Sequence, residues 1–148
     1  MKLSPLKAFL LSDPAMWLLD STFPGAGLSQ GVRMALFLPF LLASAFVGGA
    51  AVWSFRKACT TVNPWRPENA STLVRSGIFR YSRNPMYLAL LVALVGWGLF
   101  LANPFSLALT VLFVVFLNHS QIQPEERTLR AVFGAEFEQY CREVRRWI

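Results

Sequence analysis

Charge is scarce in this 148-residue sequence, and acidic charge is scarcest: charged residues make up 15%, with eight Asp and Glu against fourteen Lys and Arg. So little charge beside 55% hydrophobic residues excludes an ordinary soluble domain of this length and leaves a membrane protein. Histidine occurs once, as His119, and cysteine twice, as Cys59 and Cys141. The cysteines fit no metal-ligand spacing, so no metal site is expected. Both lie on the side assigned below to the cytoplasm, where thiols stay reduced, so no disulfide is expected either. The net charge of +6 does not point to nucleic acid, because the basic residues cluster beside apolar segments, where the positive-inside bias accounts for them. There is no length to spare for a further soluble domain. About four spans of roughly 20 residues each, one loop and a tail use up the chain, which is read as one domain over residues 1–148.

The apolar segments can be placed in order. Leu6 to Phe23 is interrupted by Lys7, Asp13, Pro14 and Asp20. It is either a short span that buries an acid against other helices or a helix lying flat at the interface; a span keeps the topology even. Its Asp and Pro residues, and the lack of a small-residue cleavage pattern, set it apart from a cleaved signal peptide. Val32 to Phe55 carries one charge, Arg33, and is long enough to span; Pro39 marks a kink point, and Gly48, Gly49, Ala50 and Ala51 form a small-residue patch that admits a close neighbour. Residues 56–83 form a polar loop with Arg56, Lys57, Arg66, Arg75, Arg80 and Arg83 against the single acid Glu68, hence a cytoplasmic loop. Its Pro64-Trp65-Arg66-Pro67 run rules out a continuous helix. A third span runs from Pro85 to about Ala102, Asn103-Pro104 makes the turn, and a fourth runs from Phe105 to about Ile122. These two spans form an antiparallel hairpin, so Asn84 and Gln123 come close together on the cytoplasmic side, as do both chain termini.

Two helix starts meet there. Asn84 is a good N-cap and Pro85 a good first helical residue, so the positive end of a helix dipole lies behind the basic run Arg80 to Arg83. That end suits an anionic or polar ligand; the plain alternative is a well-capped membrane helix whose basic flank sets its orientation. Pro124 with Glu125 and Glu126 reads as a second start, whose acids either cap a tail helix or face the arginines opposite. Beyond it, Leu129, Val132, Phe133, Phe137, Tyr140, Val144 and Trp147 recur at three- and four-residue steps. The tail is expected to be an amphipathic interfacial helix, with Gly134 as a break point and Arg142, Arg145 and Arg146 meeting anionic headgroups. The expected fold is an all-α integral membrane protein with about four transmembrane helices and this C-terminal helix.

The ordered set Leu73-Val74-Arg75-Ser76-Gly77-Ile78-Phe79-Arg80-Tyr81-Ser82-Arg83-Asn84-Pro85-Met86-Tyr87, an apolar hairpin, Glu125-Glu126 and Phe133-Gly134 with Tyr140 resembles the isoprenylcysteine carboxyl methyltransferase and phospholipid methyltransferase superfamily. The resemblance covers about the last 90 residues, a cofactor-site half of about 56–148. It implies an integral-membrane enzyme that moves a methyl group from S-adenosyl-L-methionine to a lipidic or small membrane-soluble acceptor. By position it implies a cofactor site of Tyr81, Arg83, Asn84, Pro85, Tyr87, Glu125 and Glu126, with Gly96 and Gly98 matching a Gly-x-Gly of the third span. Asn84 stands where many relatives carry His, and Ala89 where a Gly often follows. Asn lacks imidazole acid–base chemistry at neutral pH, so the catalytic candidates are Arg83, Asn84, Glu126 and, in the fourth span, His119.

Such a set suits methyl transfer, an in-line displacement in which the protein mainly aligns donor and acceptor and excludes water. Glu125 and Glu126 can accept from an ammonium or ribose hydroxyls, Arg83 with the helix N-terminus can hold a carboxylate, and Tyr81 or Tyr87 can face a sulfonium. Two other readings stay open: an NADPH-dependent, sterol-reductase-like membrane enzyme, and a non-enzymatic membrane scaffold or assembly protein.

Overall fold

A computed structural model describes residues 4–23, 25–58 and 72–148. Cys59, the Pro64-Trp65-Arg66-Pro67 run and Glu68 lie outside the described residues. The regular elements among the described residues are all helical, with no strand: α1 (Pro5–Thr22), α2 (Gln30–Lys57), a 3-10 turn (Gly77–Arg80), α3 (Pro85–Leu101), α4 (Pro104–Leu117), a π-turn (Asn118–Ile122), α5 (Gln123–Phe133) and α6 (Ala135–Glu143).

Local chemistry sets both ends of the central hairpin. Ala102 closes α3 in the left-handed conformation (φ 54°), and Asn103 opens α4 by accepting from the N–H groups of Phe105 at 2.9 Å and Ser106 at 3.3 Å. That is the side-chain cap expected of Asn, with Pro104 behind it at a position that needs no N–H. The Asn103 amide also donates to Asp20 Oδ1 at 3.3 Å and to the Phe23 carbonyl, while Ala26 N–H donates to Ala102 O at 2.9 Å. The turn between α1 and α2 is thereby tied to the turn between α3 and α4, and this end of the bundle is closed. Gly25 lies so near it that a Cβ there would meet Ala102 O at 2.6 Å.

The remaining helices pack around the hairpin. α2 runs antiparallel to α3: Phe40 lies against Gly96, Ser44 Oγ donates to Ala89 O at 2.8 Å, and Gly48 meets the Ala89 methyl group. Of the small-residue patch, Gly48 and the fully buried Ala51 face neighbours, whereas Gly49 faces open space. α1 lies antiparallel along α4, with Phe9 against Phe113, Met16 buried, and Ser106 Oγ donating to Met16 O at 2.8 Å. Asp20, the interrupting acid, is thus matched by Asn103.

Two helical stretches, Gln30–Lys57 and the continuous Pro104–Phe133, are long and apolar enough to cross a membrane; Pro85–Leu101 is equally apolar but shorter. α1 has the length but carries Lys7, Asp13 and Asp20. The outward face of α2 is apolar, with Leu42, Phe46 and Trp53 largely exposed, as a helix facing lipid would be.

The structure departs from the sequence reading at Pro124. No break separates the fourth apolar helix from the tail: α4 widens into the π-turn, where Gln123 N–H donates to Asn118 O, and continues as α5. A wider turn leaves room for the proline ring and does not call on its missing N–H. The tail breaks at Gly134 (φ 50°), but its apolar face turns inward. Phe137, Tyr140 and Val144 are buried together with Leu73, Leu129 and Phe133.

Candidate functional site

The open end of the hairpin, its mouth, gathers polar side chains from four segments. α3 begins at Pro85, so Tyr87 stands in its first turn, and its hydroxyl donates to Glu125 Oε1 at 2.5 Å. The π-turn makes this meeting possible, because one residue added to an α-helical register rotates everything after it by about 100°. Glu126, the neighbouring acid, is only 6% exposed. It receives a two-pronged contact from Arg146, Nε to Oε1 at 3.1 Å and Nη2 to Oε2 at 2.8 Å, and a further contact from Arg83 Nη2 to Oε1 at 3.3 Å. Burial of an acid on this scale requires such pairing. Arg83 is satisfied only in part: Nη1 points to the Cys141 sulfur, a weak acceptor, and Nε is buried without a partner among the described residues. Trp147 Nε1 is likewise buried without an acceptor.

A frame of hydrogen bonds holds these groups. Ser82, fully buried, accepts from Asn84 N–H at 3.1 Å. The Asn84 side chain occupies the N-cap position without capping; its Nδ2 donates instead to Arg146 O at 3.0 Å, and Arg83 N–H donates to Arg145 O at 3.1 Å. Tyr140 donates to Phe79 O at 2.7 Å, which fixes α6 against the 3-10 turn, and burial raises the pKa of its phenol. At the rim, Arg75 pairs with Glu143 at 2.9 Å. Hydrogen bonds from Gln139 and Arg75 lower the Glu143 pKa, and those to Glu126 raise that of Arg146.

Of the residues singled out from sequence, Arg83, Asn84, Pro85, Tyr87, Glu125 and Glu126 come together at the mouth. Tyr81 is beside them in sequence but 76% exposed. Gly96 and Gly98 are not brought to the cluster. Eleven residues beyond Pro85, Gly96 lies about 16 Å along the helix, facing Phe40, and Gly98 faces Leu107 and Met16. His119 is exposed on the π-turn, its Nδ1 3.5 Å from Gln123 Nε2, while Glu126 is buried; the two do not meet. Sequence reasoning missed Arg146, which was expected at headgroups, and Cys141. A signal for Arg146 did exist: a buried acid in the first turn of α5 needs a cation, and α6 ends just before a run of two arginines.

Comparison with known proteins identifies the family. A model of the phospholipid methyltransferase family matches residues 32–136. An uncharacterized protein of Haemophilus influenzae is 40% identical over 63 residues, 43% of this chain and the whole of that protein. The protein-S-isoprenylcysteine O-methyltransferase of Saccharomyces cerevisiae is 32% identical over 79 residues, 53% of this chain and 33% of that one. A probable protein-S-isoprenylcysteine O-methyltransferase of Oryza sativa is 34% identical over 77 residues, 52% of this chain and 40% of that one. The chain therefore spans two-fifths or less of the methyltransferases it matches. No solved structure matches. With the family match covering well over half of its length, the mouth residues Arg83 to Tyr87 and the Glu125-Glu126 pair included, the chain belongs to the phospholipid methyltransferase family.

Proposed function

We propose that this protein is a membrane-embedded methyltransferase that uses S-adenosyl-L-methionine and acts on a lipidic or small membrane-soluble acceptor. In this reading α1 to α4 cross the bilayer, and the mouth faces the cytoplasm, where Arg56, Lys57 and Arg80 lie exposed beside the apolar helices. The observation that carries the proposal is the meeting of Glu125 and Glu126 with Tyr87 and Arg83 at a helix start.

The residues present fit the cofactor. The partnerless Arg83 Nε offers a donor for a carboxylate, and the Glu125 and Glu126 carboxylates offer acceptors for an ammonium group or ribose hydroxyls. Bound there, S-adenosyl-L-methionine supplies a methyl group on a sulfonium, a donor that needs no further activation. Tyr87 holds Glu125 in one orientation, and Arg83 contacts Glu126, so the carboxylates are positioned before any ligand arrives. The apolar walls of α3 and α4 exclude water and admit an acceptor from the lipid side. Alignment of this kind contributes up to roughly 7–11 kcal/mol to lowering a barrier.

The test is calorimetric titration of the purified protein in detergent with S-adenosylhomocysteine, with NADPH in parallel and Glu126→Gln as control. Saturable binding of S-adenosylhomocysteine, weakened at least about tenfold in the variant (1.4 kcal/mol), is expected. Folded protein that ignores it refutes the proposal, in favour of the reductase reading if NADPH binds and of the scaffold reading if neither ligand does.

A further inference from the structure

Helix α6 ends before Val144, which has φ −126° and ψ 133°, and the non-helical residues 144–148 lie over the mouth as a strap. Its ties fall on the same groups that would hold a cofactor. Arg145 O takes the N–H of Arg83, Arg146 O takes the amide of Asn84, and the Arg146 guanidinium spans both oxygens of Glu126. With Arg83 on the remaining side of Oε1, little of the Glu126 carboxylate is left to accept from anything else.

The occupant resembles the ligand in kind. A guanidinium is a cation with several N–H donors, and so is the α-ammonium of the cofactor in the reading proposed above; a single buried carboxylate cannot serve both in the same positions. The strap's seat also has a defect, since Trp147 is packed against the main apolar core with its Nε1 lacking an acceptor among the described residues, so seating it gives up hydration that those residues do not replace. The Arg146 side chain, 34% exposed, has a path into water, whereas Glu126, at 8%, has none. The strap can leave and the acid cannot.

We propose that the strap is an autoinhibitory latch: Arg146 occupies Glu126 in the ligand-free protein, and the cationic end of the cofactor displaces it. This rests on the cofactor reading above. Removing the latch then strengthens binding, where removing a supporting residue would weaken it.

The experiment is titration of the full chain in detergent with S-adenosylhomocysteine for the parent, Arg146→Gln and Arg146→Lys, with tryptophan emission followed in the parent and in Trp147→Phe. Arg146→Gln is expected to bind about tenfold more tightly, by release of 1.4 kcal/mol of competition, and Arg146→Lys, which keeps the charge but loses the fork, to fall between. Ligand added to the parent is expected to red-shift emission as Trp147 enters water, a shift missing in Trp147→Phe. The emission change needs no substitution at Arg146, so it decides the matter even where Arg146→Gln fails to fold. Binding that leaves the emission unmoved, or that weakens in Arg146→Gln, overturns the latch and leaves the cofactor reading standing. Absence of binding in folded parent and variants alike overturns both.

Discussion

Replacing Asn103 with Ala removes the clamp at the closed end of the bundle. Asn103 is completely buried, and its side chain works in two directions: Oδ1 caps α4 through Phe105 and Ser106, and Nδ2 donates to Asp20 and to the Phe23 carbonyl. Loss of an N-cap costs about 1 kcal/mol. Leaving the part-buried Phe23 carbonyl and the Asp20 carboxylate without their donor costs roughly 1–3 kcal/mol more. The sum, about 2–4 kcal/mol, corresponds to a fall in melting temperature of about 5–15 °C for a chain of this size, measured by tryptophan fluorescence in detergent. Asn103→Ser separates the two directions, because it keeps the cap and loses the donor, and it is expected to recover about 1 kcal/mol of the loss. Since α3 places about 25 Å between Asn103 and the mouth, the affinity of the folded fraction for S-adenosylhomocysteine is expected to stay at the parent value. An Ala variant that melts within 2 °C of the parent, or a Ser variant no better than Ala, refutes the reasoning.

Gly96→Ala is expected to destabilise by about 1–3 kcal/mol, because its Cβ would fall 2.7 Å from the Phe40 Cβ, close to the backbone of α2. Gly98→Ala is milder, since it meets the ends of Leu107 and Met16, which can move; chemical denaturation ranks the two. If the glycines serve the cofactor rather than helix packing, Gly98→Ala instead reduces ligand affinity more than stability. Glu143 has its folded pKa lowered, chiefly by the Gln139 hydrogen bond and then by Arg75, so its contribution is present above the unfolded carboxylate pKa and is lost as pH falls through the folded one. The melting-temperature difference between the parent and Glu143→Gln, small at neutral pH, is therefore expected to vanish in acid below the folded pKa.

The parts of the fold that were legible in sequence are those whose causes are local. Asn84-Pro85 and Asn103-Pro104 announce two helix starts, the short turn between the spans makes a hairpin, and the hairpin brings Arg83 and Tyr87 to the same end as Glu125 and Glu126. What escaped depends on partners distant in the chain. Asn84 carries the residue type of a cap, yet a strap some 60 residues away claims its amide. Arg146 sits in a basic run suited to headgroups, but the burial of Glu126 draws it inward. The periodic apolar residues of the tail do mark one face, though periodicity cannot distinguish lipid from Leu73 as the surface that covers it. The π-turn has no local code at all, and without it Pro124 reads as a break.

The lengths of the helices have a consequence for where the mouth sits in a bilayer. At 17 residues α3 reaches about 25 Å, less than the roughly 30 Å of a hydrocarbon core, whereas α2, at 28 residues, reaches about 42 Å. If both helices cross the bilayer as proposed, hydrophobic mismatch of opposite sign within one small bundle favours tilting of α2 and thinning of the bilayer beside α3. In the proposed transmembrane arrangement, the polar cluster of Tyr87, Glu125, Glu126 and Arg83 then lies recessed, at the depth of the acyl carbonyls rather than above the headgroups. An amphiphile can present its polar end there without withdrawing its chain from the membrane.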